Sequence, residues 1–157
     1  MLDIPSISSI VAAVGVLIGV VFTVLELRDL VKTRRVDLVT RLYSTFGSTE
    51  FVEAWEKIRT RESVDDFDAY KKKHGLSEYI QVCTLFEGIG ILLDRRLIDN
   101  DLADDLFGVP VRLAWERMRV LIQEDRKQTN EPGTFEWFEY LYNKMQKREQ
   151  RQASKTA

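Results

Sequence analysis

The residues able to do chemistry are few and widely spaced. The chain of 157 residues holds one histidine, His74, so neither a histidine metal cage nor a histidine–carboxylate relay can be assembled within one copy. Following Lys71, Lys72 and Lys73, its expected work is cationic capping of a helix C-terminus. The lone cysteine, Cys83, cannot form an internal disulfide. Ile80, Phe86 and Gly90 recur around it at helical spacing, which reads as a small buried hydrophobe in a reducing compartment. Asp99, Asp101, Asp104 and Asp105 could ligate a divalent cation in principle. They lack the central glycine and terminal glutamate of a calcium loop, and a capped, solvated helix start is the plainer reading. Gly88-Ile89-Gly90 has no strand before it and no third glycine, so it suits close helix packing better than a dinucleotide.

Glu87 is the sharpest single position. It interrupts the most apolar stretch of the domain, where an unpartnered carboxylate would be costly. An ion pair with Arg119 or Arg41, or a hydrogen bond, is the structural reading; a ligand or ion site is the other. No metal ligand set, no cofactor motif and no catalytic constellation is found, and the chain is read as a non-enzyme.

The elements that position these residues begin with an anchor. Residues 4–25 carry no charge, and 22 helical positions span about 33 Å, against about 30 Å for a hydrocarbon core. Lysine and arginine lie only on the C-terminal side of this run, which predicts a single-pass helix in the cell membrane with the N-terminus outside and the following domain cytoplasmic. Arg28, Lys32, Arg34 and Arg35 then stand where anionic lipid headgroups would be. Ser8, Ala12, Gly15 and Gly19 form a small-residue stripe suited to helix–helix association. Ser9, Val16, Thr23 and Glu26 share a neighbouring face, which could line a pore if several copies came together.

Beyond the anchor (1–27), the sequence predicts an all-α domain, a compact bundle of about six helices over 28–147, and a polar basic tail over 148–157. Three prolines and eight glycines are too few for an all-β or disordered chain. Val24, Leu27, Val31, Leu38, Leu42 and Phe46 continue an apolar stripe beyond the anchor. Ser48 reads as an N-cap, Ser63 to Asp66 as a capping box and Ser77 as a further cap. Gly108 and Pro110 mark the end of one helix and the start of the next. Trp55, Trp115 and Trp137 fall on apolar stripes and read as core. The net charge of −2 and the absence of interleaved aromatic platforms in the basic tail argue against nucleic acid.

The order of segments resembles a known family. The uncharged anchor is followed by LELRDLVKTRRVDLVTRLYSTFGSTEFVEAWEKI, LFEGIGILLDRRLIDNDLADDLFG, LAWERMRVLI and FEWFEYLYNKM. The pattern is similar to short, membrane-anchored, helical microbial proteins of unknown function, and the resemblance implies the same architecture without bringing an activity. The expected function is a membrane-anchored interaction protein that self-associates through its anchor and presents its domain to a cytoplasmic partner. The alternative is a small homo-oligomeric ion channel with Glu26 at its mouth.

Overall fold

The computed structural model describes residues 4–61 and 66–156, with the side chains of 4–11, 152, 155 and 156 outside that description. The described chain is all-helical, six helices without a strand. It divides into two compact units, 1–40 and 41–157.

Helix α1 (Ile4–Phe46) runs 43 residues without a break. Pro5 falls in its first turn, where a missing N–H costs nothing. The hydroxyls of Thr23, Thr33 and Thr40 donate to the carbonyls of Gly19, Asp29 and Val36, four residues back, so these polar side chains are satisfied within the helix itself. Gly47 N–H closes the end on Tyr43 O at 2.9 Å.

In the second unit, Ser48 caps α2 (Thr49–Thr60) as its sequence position predicts, accepting from Phe51 N–H. Asp66 caps α3 (Phe67–His74), accepting from Ala69 N–H at 2.7 Å; the rest of the expected capping box, Ser63 to Asp65, lies outside the described residues. Helix α4 (Ser77–Asp94) corrects an expectation, because Ser77 is its first residue. Leu76 holds the cap position and supplies no side-chain acceptor.

The larger correction concerns α5 (Asn100–Thr129), a single helix of 30 residues that passes through Gly108 and Pro110. A second role explains the glycine. A Cβ at Gly108 would meet the Asp104 carboxylate and the Arg112 guanidinium, and those two groups pair across it at 3.0 Å. Gly108 is therefore the floor of an ion pair that bridges the turn around Pro110, where the ladder lacks one donor. Helix α6 (Glu136–Thr156) likewise runs on past the expected tail boundary.

Helix α4 is the axis of this unit. Tyr79, Val82, Cys83, Phe86 and Ile89 are all at most 1% exposed, as an apolar helix surrounded by others requires. Aromatic rings continue outward from it. Phe86 stacks on Phe138 at 5.1 Å and meets Phe51 edge-on at 6.1 Å. Trp115 then stands edge-on to Phe138 and stacks on Tyr142. Phe46, from the last turn of α1, joins this cluster against Phe51 and Phe107.

Candidate functional site

Two places bear on function: the surface of α1 and the junction of α4 with α6. Along α1, every described side chain from residue 12 to residue 37 is exposed. Val16, Leu17 and Phe22 are 67%, 65% and 69% exposed. Successive helical positions turn by about 100°, so these three, with Ile18, Val20 and Val21, cover about two thirds of the circumference, and Ala12, Gly15 and Gly19 fall in the remaining sector. No Cβ added at Gly15 or Gly19 would meet an atom within 4 Å, and Ala12 is exposed beside them. The side chains of Ser8 and Ser9 lie outside the described residues.

Val16, Thr23 and Glu26 are exposed on an adjoining sector. The Thr23 hydroxyl is already spent on Gly19 O at 2.8 Å. Arg28, Lys32, Arg34 and Arg35 are exposed, and they make no ion pair among the described residues. Arg28, Lys32 and Arg35 share one side by helical spacing, whereas Arg34 projects elsewhere. Among the described residues no single helix is long and apolar enough to cross a membrane. The uncharged run of the sequence extends back through 4–11, whose side chains are outside the description. Helices α3 and α4 reach that apolarity only together, across a bend of 115°, and the apolar side chains of α4 are core.

At the second place, Glu87 does not pair with Arg119 or Arg41. Its Oε2 accepts the backbone N–H of Phe138 at 2.7 Å. The cause is a defect at the start of α6. The residue before that helix is Phe135, which sits at φ 54° and has no side chain able to take up the free N–H groups of the first turn. Glu87 reaches across from α4 and supplies the missing acceptor. The approach is close enough for this because Gly90, one turn further along α4, lies directly against the Trp137 carbonyl. Burial raises the Glu87 pKa, the backbone donors of Phe138 and Trp137 lower it, and burial prevails.

Arg126 braces the same junction. Its Nε donates to Thr134 O and its Nη1 to Glu139 at 2.7 Å. The junction is thus a structural latch in which Glu87 and Arg126 hold the start of α6 and the turn before it, while Arg126 Nη2 is buried without a hydrogen-bond partner among the described residues.

The remaining candidates resolve into structure. Asp99 caps α5 by accepting Leu102 N–H at 2.7 Å. Arg148 pairs with Asp101, Asp104 and Asp105 at 3.1, 3.0 and 3.2 Å. Although partial desolvation works against its charge, these carboxylates raise its pKa. Among the described residues no cluster of three or more metal-ligating side chains is found. Cys83 is fully buried, and burial pushes its thiol up. His74 differs from expectation: desolvation, then the charges of Arg61 and Lys73, hold its pKa low, so it is a poor cationic cap. Its ring rests near Tyr70 instead, 5.2 Å between centroids.

Arg126 and Arg148 carry much of the polar architecture, yet no sequence motif marks them. The one available signal for Arg148 is that a dense run of aspartates needs a counter-cation, and spacing along the chain does not say which. A family model for a domain of unknown function, DUF4760, matches residues 10–145. No curated protein and no solved structure matches the chain.

Proposed function

The chain belongs to the DUF4760 family, a domain of unknown function, and from that premise we propose a membrane-anchored interaction protein. In this reading α1 crosses the cell membrane with its N-terminus outside, self-associates along Ser8, Ala12, Gly15 and Gly19, and presents the helical domain to a partner on the cytoplasmic side. One observation carries the reading: large apolar side chains around about two thirds of α1 over residues 14–25 are 45–69% exposed. A helix surface this apolar is at home in a protein core or in lipid, and its described side chains over residues 12–37 are exposed.

The basic residues after the run support the orientation, since Arg28, Lys32, Arg34 and Arg35 follow it closely. Facing anionic headgroups, each would contribute about 1 kcal/mol of attraction. The small side chains of Gly15 and Gly19 allow a second helix to approach the backbone closely.

The test is the mass of the full-length protein in nanodiscs, together with its extraction from membranes by alkaline carbonate. We expect carbonate resistance and a defined oligomer that Gly15→Leu combined with Gly19→Leu dissociates. Carbonate release would remove the anchor, and a monomeric wild type would remove self-association.

A further inference from the structure

The end of α3 gathers cations around the one histidine of the chain. His74 closes that helix, its ring 5.2 Å from the ring of Tyr70. Tyr70 also meets the Arg61 guanidinium, which donates to its hydroxyl at 3.1 Å and lies 6.0 Å from the ring centre. Lys73 directly precedes His74, and Lys57 stands in α2 one turn before Arg61. From α4 the Glu78 carboxylate faces this group, but Lys57 at 3.1 Å and Arg61 at 3.5 Å already hold it. From α5, Arg117 reaches the Arg61 carbonyl at 3.0 Å. The Nε2 of His74 is buried without a hydrogen-bond partner among the described residues.

A neutral imidazole fits this place and a charged one does not. Protonation would put an N–H on Nε2, where no acceptor is available to take it, and a positive charge beside Arg61 and Lys73. A helix C-terminus favours a cation, yet Lys71, Lys72 and Lys73 share the same last turn and already supply it. Helix α3 is also short and lightly attached. Its Phe67 and Tyr70 lean edge-on against Tyr79 at 5.7 and 6.3 Å, and Gln128 of α5 donates to its Asp68 at 3.3 Å.

We propose that His74 is an acid-sensitive latch: neutral, it lets α3 close over Tyr79; protonated, it loosens α3 from α4 and α5 while the rest of the domain stays folded. Opening uncovers the aromatic cluster of Phe67, Tyr70 and Tyr79, which are 5%, 3% and 1% exposed when closed. Desolvation, then Arg61 and Lys73, hold the folded pKa below the ordinary histidine value, against an opposing pull from Glu78. A depressed pKa means that the closed state binds the proton less well than the open one. Closure is therefore complete above the ordinary value of about 6.5 and is lost as pH falls through the folded one. The latch depends neither on the anchor nor on self-association.

Hydrogen exchange of the full-length protein, read by mass spectrometry between about pH 7.5 and about pH 5, tests it. Because the chain has one histidine, exchange at the imidazole C2 position follows its titration in the same samples. We expect a His74 midpoint below about 6.5. With intrinsic rates divided out, α3 amides should be several-fold less protected below that midpoint than above it, and α4 amides unchanged. His74→Phe keeps a ring against Tyr70 without a titrating group, and should hold α3 equally protected across the range.

The wild type alone can overturn the latch. A midpoint at or above about 6.5, no midpoint in the range, or α3 protection that does not follow the midpoint would each do so. Loosening of α4 in step with α3 would do so too, since that is acid unfolding of the whole domain. A folded His74→Phe protein whose α3 still loosens in acid would assign the switch to another group and remove His74 from it.

Discussion

Two helices of this chain are apolar on nearly every side, and they meet opposite fates. Helix α4 sits at the centre of the second unit, with Val82, Cys83, Phe86 and Ile89 fully buried. Helix α1 over residues 12–37 has no buried side chain at all. The apolar side chains of α4 are covered by neighbouring helices, whereas those described on α1 over residues 12–37 are exposed. The polar residues sharpen the contrast. Glu87 interrupts α4 and is met by the backbone of α6, whereas α1 avoids charge until Glu26.

The largest expected effect breaks the surround of α4 and leaves that of α1 alone. Phe86→Ala removes a ring that contacts Phe46, Phe51 and Phe138, and should cost about 3–5 kcal/mol in guanidinium unfolding of the domain. Phe22→Ala removes a ring that is 69% exposed and should leave the domain midpoint where it is. Equal shifts for the two variants would mean that α1 is covered by protein after all.

Next comes the α4–α6 junction. Gly90→Ala forces a methyl group against the Trp137 backbone, and main chain cannot swing aside as a side chain can. Thermal unfolding should report a loss of about 1–3 kcal/mol, the cost of overpacking.

Glu87→Ala should lose about 1–3 kcal/mol, because the Phe138 N–H is left without its acceptor. The pH dependence has a definite sign. Burial, outweighing the donors, holds the folded pKa above the ordinary carboxyl value, so the protonated form is favoured by folding. The contribution of this linkage is fully present below the unfolded pKa and is lost as pH rises through the folded one. Wild type should gain stability relative to Glu87→Gln as pH falls through that window. An opposite slope would mean that the backbone donors and the Arg126 charge outweigh burial.

Much of the domain was legible in the residues. Ser48 and Asp99 cap helices, Cys83 is core, and the apolar stripe of α4 is central, because each depends on local spacing alone. Gly108 with Pro110 misled, since both residues are ordinary punctuation and only the tertiary pairing of Asp104 with Arg112 reveals why the helix continues. The partner of Glu87 was illegible for another reason. It is a backbone N–H at residue 138, and nothing in the type of a residue advertises an unsatisfied main-chain donor. On α1, residue types alone supplied the stripes, and the structure adds their exposure.

The smallest expected effect separates the two kinds of open glycine. A Cβ at Gly88 would meet nothing within 4 Å, as at Gly19. Gly88 lies in α4, whose packing is complete without it, so Gly88→Ala should stabilise the domain by about 0.5–1 kcal/mol through helix propensity alone. Gly19→Ala gives α1 the same local gain but adds a methyl group where a second helix is proposed to approach. Thermal unfolding should rise for the first, while the oligomer mass in nanodiscs should fall or broaden only for the second. If Gly88→Ala also shifted the oligomer, the exposed side of α4 would have to be counted as an interface, and the contrast between a helix completed by its own chain and one completed from outside would no longer hold.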